Sequence, residues 1–271
     1  MELMGLFPRS AEFSSVFWDY PSIILSVIIL YLWFVLSAGP KWMANRPPYQ
    51  LRTATRLFNL FQVIANVWFS YNMIGLVVRN HHLGLFSLGC NPPLTDRLIL
   101  ATESDTNLAH TIGIVYFNVR VLDFLDTVLF VLTKKMSHVS FLHVYHHVIV
   151  VLTAYVYLRS GWMPSIYYCV LLNSMVHIAM YSYYFLSTFP AMKPYLWWKH
   201  YLTGLQMAQF SVLLLQFLWN IVYNCGYPIL VPQFVFSQAA IFLVLFGRFY
   251  RQKYVAKKRS ENVESSCMKA D

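Results

Sequence analysis

The chain has 271 residues, of which 58% are hydrophobic and 11% charged, whereas soluble domains carry roughly 25% charge. That balance excludes an ordinary water-soluble fold, and four cysteines without CxxC spacing exclude a disulfide-stapled scaffold and a thiolate metal site. The net charge of +9 does not mark a nucleic-acid binder, because the basic residues fall in links between apolar runs rather than on a soluble reading helix.

Hydrophobic windows fall at 21–38, 57–78, 108–132, 139–158, 163–187, 200–222 and 229–249. At about 1.5 Å of rise per residue each is long enough to cross the hydrocarbon of a bilayer. The runs are continuous rather than alternating, so they predict helices and not a barrel. The expected fold is all-α: one domain over residues 1–271, a bundle of seven transmembrane helices with a basic tail from about residue 250. The first fifteen residues lack the ordered regions of a signal peptide, so the first window is kept as a helix.

Basic residues set the orientation. Lys41, Arg46, Arg52 and Arg56 follow the first window, Lys134 and Lys135 the third, and Lys193 and Lys199 the fifth, while the tail holds a further run from Arg248 to Lys269. The opposite links hold only Arg9, Arg79, Arg97 and Arg159, so the positive-inside rule places the tail in the cytosol and the N terminus across the membrane. Cys90 and Cys225 then share the non-cytosolic side, where a disulfide between them is expected, and Cys267 is expected to stay reduced.

Polar side chains within spanning helices usually face the bundle interior and mark function. The third window carries Asn118, Arg120, Asp123, Asp126 and Thr127, the fourth His143, His146 and His147, the fifth Asn173 and His177, and the sixth Thr203, Gln206 and Gln209. The HVYHH spacing puts three imidazoles on one helical face, and Asn173 and His177 lie one turn apart on the next helix. Two chemistries use such a cluster: neutral imidazoles can ligate a transition metal, or they can act in acid–base or nucleophilic catalysis. Spacing alone leaves both open, although the HVYHH turn has no coordinating carboxylate. Arg120 and Asp123, three residues apart, are placed to form a buried pair.

Six segments in order resemble the very-long-chain fatty acid elongases of the endoplasmic reticulum: GPKWMANRPP at 39–48, VLDFLDT at 121–127, HVYHH at 143–147, NSMVHIAMYSYY at 173–184, YLTGLQMAQF at 201–210 and FGRFYRQKY at 246–254. That family usually has Lys and Glu where this chain has Arg120 and Asp123, whereas Asp126 and Thr127 match it. The resemblance implies condensation of a long-chain acyl-CoA with malonyl-CoA, inside a bundle enclosing an acyl tunnel, with no cofactor and no metal. It implies ping-pong catalysis through an acyl-imidazole on His146, with His143, His147, Asn173, His177, Asp126, Gln206 and Gln209 around it. Lys199, Thr203, Arg248, Lys134 and Lys135 are the expected CoA contacts, and Cys169 is a competing nucleophile. Membrane lipid, other enzymes of the elongation cycle and a second copy of the chain are the expected partners, with no nucleic acid. Rival classes are a metal-dependent membrane lipid oxidase and a seven-helix carrier, but no repeated half supports the carrier.

Overall fold

The computed structural model describes residues 20–80, 102–160, 167–223 and 229–255. The first helix, α1, runs Pro21–Met43 with a π-helical turn at Phe34–Ala38. Pro21 occupies the first helical position, where its missing N–H breaks no bond. The helix reaches five residues beyond its hydrophobic window, through Gly39 and Pro40. The π turn, closed by Gly39 N–H on the Phe34 carbonyl, admits a proline ring that would otherwise crowd the carbonyl four residues back.

The remaining helices are α2 (Arg52–Arg79), α3 (Glu103–Leu122), α4 (Phe124–Leu132), α5 (Phe141–Ser160), α6 (Tyr167–Ser187), α7 (Lys199–Val222) and α8 (Leu230–Tyr250). Among the described residues, six helices are long and apolar enough to cross a membrane, α1, α2 and α5 to α8, so the chain is a multi-pass membrane protein. The third window, expected as one span, divides at Asp123 into α3 and α4 and is not among those six. Its ionisable residues lower its hydropathy, and the Asp123 carboxylate is engaged by neighbouring side chains.

By their contacts α3, α5, α8, α7, α6 and α2 neighbour one another in a closed cycle, with α2 against α6 and α7 against α8 making the largest interfaces and α5 against α8 the smallest of the six. Outside this cycle α1 packs on α4. A side chain on Gly39 would stand 2.8 Å from the Phe34 carbonyl oxygen and 2.9 Å from Val131 Cγ1, so this contact requires glycine. Outward faces carry bare aliphatic side chains such as Ile29, Ile64 and Leu215, as a lipid-facing surface does.

Two polar locks hold helix ends together. Arg79 Nε and Nη2 donate to Asp105 Oδ1 at 2.9 and 2.7 Å, and Asn80 Nδ2 donates to Asp105 Oδ2 at 2.9 Å, joining the end of α2 to the start of α3. Thr102 caps that start by accepting from Asp105 N–H at 3.1 Å. At the other end of α2, Arg56 donates to the Thr188 hydroxyl and carbonyl at 3.0 and 3.1 Å and lies over the Phe189 ring, fastening it to the segment after α6.

Candidate active site

The HVYHH turn opens α5, where His147 is buried and His143 and His146 are half-buried. His143 and His147 have ring centroids 4.3 Å apart, His146 and His147 5.5 Å, and His146 and His177 of α6 6.5 Å. The four imidazoles foreseen in the sequence therefore do gather. Their partners differ: His143 Nε2 hydrogen-bonds Thr127 Oγ1 at 3.0 Å, and Thr127 in turn bonds Tyr31 of α1 at 2.9 Å. His177 Nδ1 lies 2.6 Å from Arg120 Nη1. Phe242 of α8 packs on His146 with centroids 5.4 Å apart.

Arg120, 1% exposed, is the hub of the polar core. It pairs with Asp123 Oδ2 at 3.1 Å as foreseen, but it also donates to Asn66 Oδ1 at 3.2 Å and to Asn173 Oδ1 at 3.4 Å. Gln62 donates to Asp123 Oδ1 at 2.6 Å, and Tyr116 to Asn173 Oδ1 at 3.0 Å. A guanidinium in so dry a place persists because its charge is paired and shared among acceptors. Asp126 accepts from Tyr181 at 2.7 Å.

Beside this network lies a cavity of about 100 Å³ between α5, α6, α7 and α8. His146, Tyr116, Asn173, Gln209 and Gln238 bring polar atoms to its wall, and the remainder is mostly apolar, from Ile149, Val150 and Ala154 to Leu213, Val235 and Phe242. Among the described residues, His146 is the one histidine that lines it. Asn173 Oδ1 is already taken by Tyr116 and Arg120, which leaves its amide N–H groups for a bound molecule. Tyr145 similarly donates to Gln238 Oε1, which leaves the Gln238 amide nitrogen beside the cavity.

Other foreseen residues are placed unevenly. Gln209 lines the cavity, whereas Gln206 reaches only Met180 Sδ at 3.6 Å. Cys169 lines it too, but one turn beyond Asn173 and away from His177. Asn118 bonds back to Ile114 O in its own helix. Of the foreseen CoA contacts, Lys135, Lys199 and Arg248 are exposed, Thr203 is buried, and Lys134 is tied to the Ala44 carbonyl at 3.1 Å. Lys135 and Lys199 share a region with Lys253: partial burial and these three ammonium groups together hold the His138 imidazole below its usual range. The foreseen Cys90–Cys225 disulfide lies outside the described residues.

Comparison with known proteins accords with this arrangement. Residues 16–262 match the family described as ELO: GNS1/SUR4 family. Very long chain fatty acid elongase 2 of Mus musculus is 35% identical over 252 residues, covering 92% of this chain and 81% of the relative. Its Rattus norvegicus counterpart is 37% identical over 240 residues, covering 88% and 80%. Very long chain fatty acid elongase 5 of Mus musculus is 32% identical over 242 residues, covering 89% and 76%.

Proposed function

The chain belongs to the ELO: GNS1/SUR4 family and is a fatty acid elongase, and from that premise we propose that it condenses a long-chain acyl-CoA with malonyl-CoA by way of an acyl-enzyme on His146. The observation that carries this reading is the position of His146, the histidine at the wall of an apolar cavity, with amide donors of Asn173, Gln209 and Gln238 on the same wall. An acyl chain suits the greasy part of that wall, and amides suit the oxygen of a reacting carbonyl.

A lone pair of the neutral His146 ring attacks the thioester carbonyl carbon. The C–S bond breaks, and the departing CoA thiolate takes the proton that the acylated ring gives up, leaving a neutral acyl-imidazole. Malonyl-CoA then enters and loses carbon dioxide, and the electron pair of the broken C–C bond attacks the acyl carbon. The C–N bond breaks, the departing imidazole nitrogen takes up a proton, and a 3-oxoacyl-CoA two carbons longer leaves. Loss of carbon dioxide drives carbon–carbon bond formation, so the chemistry calls for no redox or metal cofactor.

In the proposed arrangement α3 and α4 together form a seventh span, their charges neutralised within the bundle. The cavity runs from His146 toward the end of α5 and the start of α6, which the positive-inside rule makes the non-cytosolic side; it is the acyl tunnel. CoA phosphates then meet Lys135, Lys199 and Lys253 on the cytosolic side, in the membrane of the endoplasmic reticulum. Incubation of the purified protein with acyl-CoA alone, followed by peptide mass spectrometry, tests the reading. An acyl mass on His146 that malonyl-CoA discharges is expected; full condensation by His146→Ala, or turnover without any adduct, overturns it.

A further inference from the structure

The helix that stands outside the cycle reaches the histidine cluster through one phenol. Ile24, Ile28, Tyr31 and Val35 form a buried face of α1, and Tyr31 is the polar member of that face. Its ring stacks on Phe124 of α4 with centroids 4.0 Å apart, and its hydroxyl lies 2.9 Å from Thr127 Oγ1. Thr127, fully buried, bonds His143 Nε2 at 3.0 Å on its other side. His143 rests in turn on His147 with centroids 4.3 Å apart, and His147 meets His146 at 5.5 Å.

Thr127 differs from other threonines of the bundle. Thr55, Thr106, Thr111, Thr133 and Thr153 each turn the hydroxyl back onto the carbonyl four residues earlier, which is where a helical threonine commonly rests. For Thr127 that carbonyl belongs to Asp123. Tyr31 offers instead a partner that can both give and take a hydrogen bond. If His143 Nε2 carries a proton, Thr127 accepts from the ring and donates to Tyr31; if Nε2 is bare, Thr127 donates to the ring and accepts from Tyr31. The hold on His143 therefore needs no particular tautomer.

We infer that Tyr31 is a positioning residue for the condensation: through Thr127 it holds the His143 ring, and with it the contacting imidazoles that lead to His146. This rests on the reading above that the histidine cluster is the reaction centre. Without the phenol, a Thr127 hydroxyl facing a bare Nε2 has a competing acceptor in the Asp123 carbonyl, and His143 loses its tether whenever the carbonyl wins. Neither Tyr31 nor Thr127 lines the cavity, so the loss falls on the chemical step and not on substrate binding.

The test measures kcat and KM of malonyl-CoA-dependent product formation, with Tm in detergent, for the full-length wild type, Tyr31→Phe, Thr127→Val, Thr127→Ser, the Tyr31→Phe/Thr127→Val double variant and His146→Ala. Tyr31→Phe keeps its ring on Phe124, so Tm should stay close to wild type. Its kcat should fall about tenfold, the effect of one hydrogen bond, with KM for both CoA substrates within about twofold. Thr127→Val should lose at least as much, whereas Thr127→Ser, which keeps the hydroxyl, should remain within about threefold of wild type. Because the two side chains act as one relay, the double variant should be no more than about twofold slower than Thr127→Val. A Tyr31→Phe kcat within about threefold of wild type, a change confined to KM, or losses that multiply in the double variant each overturns the inference. If Thr127→Val does not fold, the other two single variants decide, and Thr127→Ser slower than Tyr31→Phe overturns it. Full activity of His146→Ala overturns the reading of the cluster as the reaction centre and this inference with it, whereas an inactive His146→Ala beside a full-rate Tyr31→Phe overturns this inference only.

Discussion

Filling the cavity from its far wall should shorten the acyl chains that the enzyme accepts, by an amount set by helix geometry. Val150 and Ala154 line the cavity four and eight residues beyond His146 on α5, about 6 and 12 Å along the helix. An extended chain advances roughly 1.3 Å per methylene, given C–C bonds of about 1.5 Å, so the two positions differ by four to five carbons. A ring introduced by Ala154→Phe displaces about three or four methylenes, each worth about 0.8 kcal/mol when buried, or some 2.5–3 kcal/mol in total. That corresponds to roughly a 100-fold fall in kcat/KM for the longest substrates, with no change for chains that end before Ala154. Val150→Phe should move the cutoff a further four carbons or so toward shorter chains. The assay is malonyl-CoA-dependent product formation across a series of saturated acyl-CoAs, with Ala154→Leu as a smaller step should the ring prevent folding. A uniform loss at all lengths, or a longer cutoff for Val150→Phe than for Ala154→Phe, would refute the reasoning.

Three further outcomes follow from the packing. Gly39→Ala, forced against the Phe34 carbonyl and Val131, should destabilise the α1–α4 contact by about 1–3 kcal/mol, read as a lower Tm in detergent. Tyr145→Phe removes the donor that orients Gln238, so kcat/KM should fall about two- to tenfold while Tm stays close to wild type, as expected for one hydrogen bond. Asp105 Oδ1 accepts from Arg79 and its Oδ2 from Asn80. Asp105→Ala should therefore lower Tm in detergent by loosening the end of α2 from the start of α3, and an unaltered Tm would show that this lock does not contribute.

Much of the site was legible because histidine in an apolar window is rare and helical spacing is rigid. His143, His146, His147, Asn173 and His177 were all placed on facing helices by that argument, and the Arg120–Asp123 pair by its spacing of three. The same rule applied to the second window would have found Gln62 and Asn66, four residues apart and both fully buried. Tyr31, Tyr116 and Tyr181 were not legible, since a tyrosine that ends a hydrogen-bond chain looks the same in sequence as one at a membrane interface. Neither Gly nor Pro marks the break at Asp123, so the third window reads as one continuous helix. Periodicity likewise offers no means of separating Gln209, which reaches the cavity, from Gln206, which does not: both belong to one polar stripe, and only the neighbouring helices decide which faces inward.

The polar load on α3 bears on how the protein is made. In the proposed seven-span arrangement, residues 103–132 must enter the bilayer carrying Arg120, Asp123 and Asp126, charges that each oppose insertion by about 2.5–3.5 kcal/mol at mid-depth. When Arg120 is added to the chain, Gln62 and Asn66 have already been made, but His177 is still 57 residues away from synthesis. Until α6 emerges the segment has only part of its polar company and should wait shallowly at the headgroups. Translation arrested before residue 167 would trap that half-inserted stage, and its depth could be read by water-soluble thiol labels along α3.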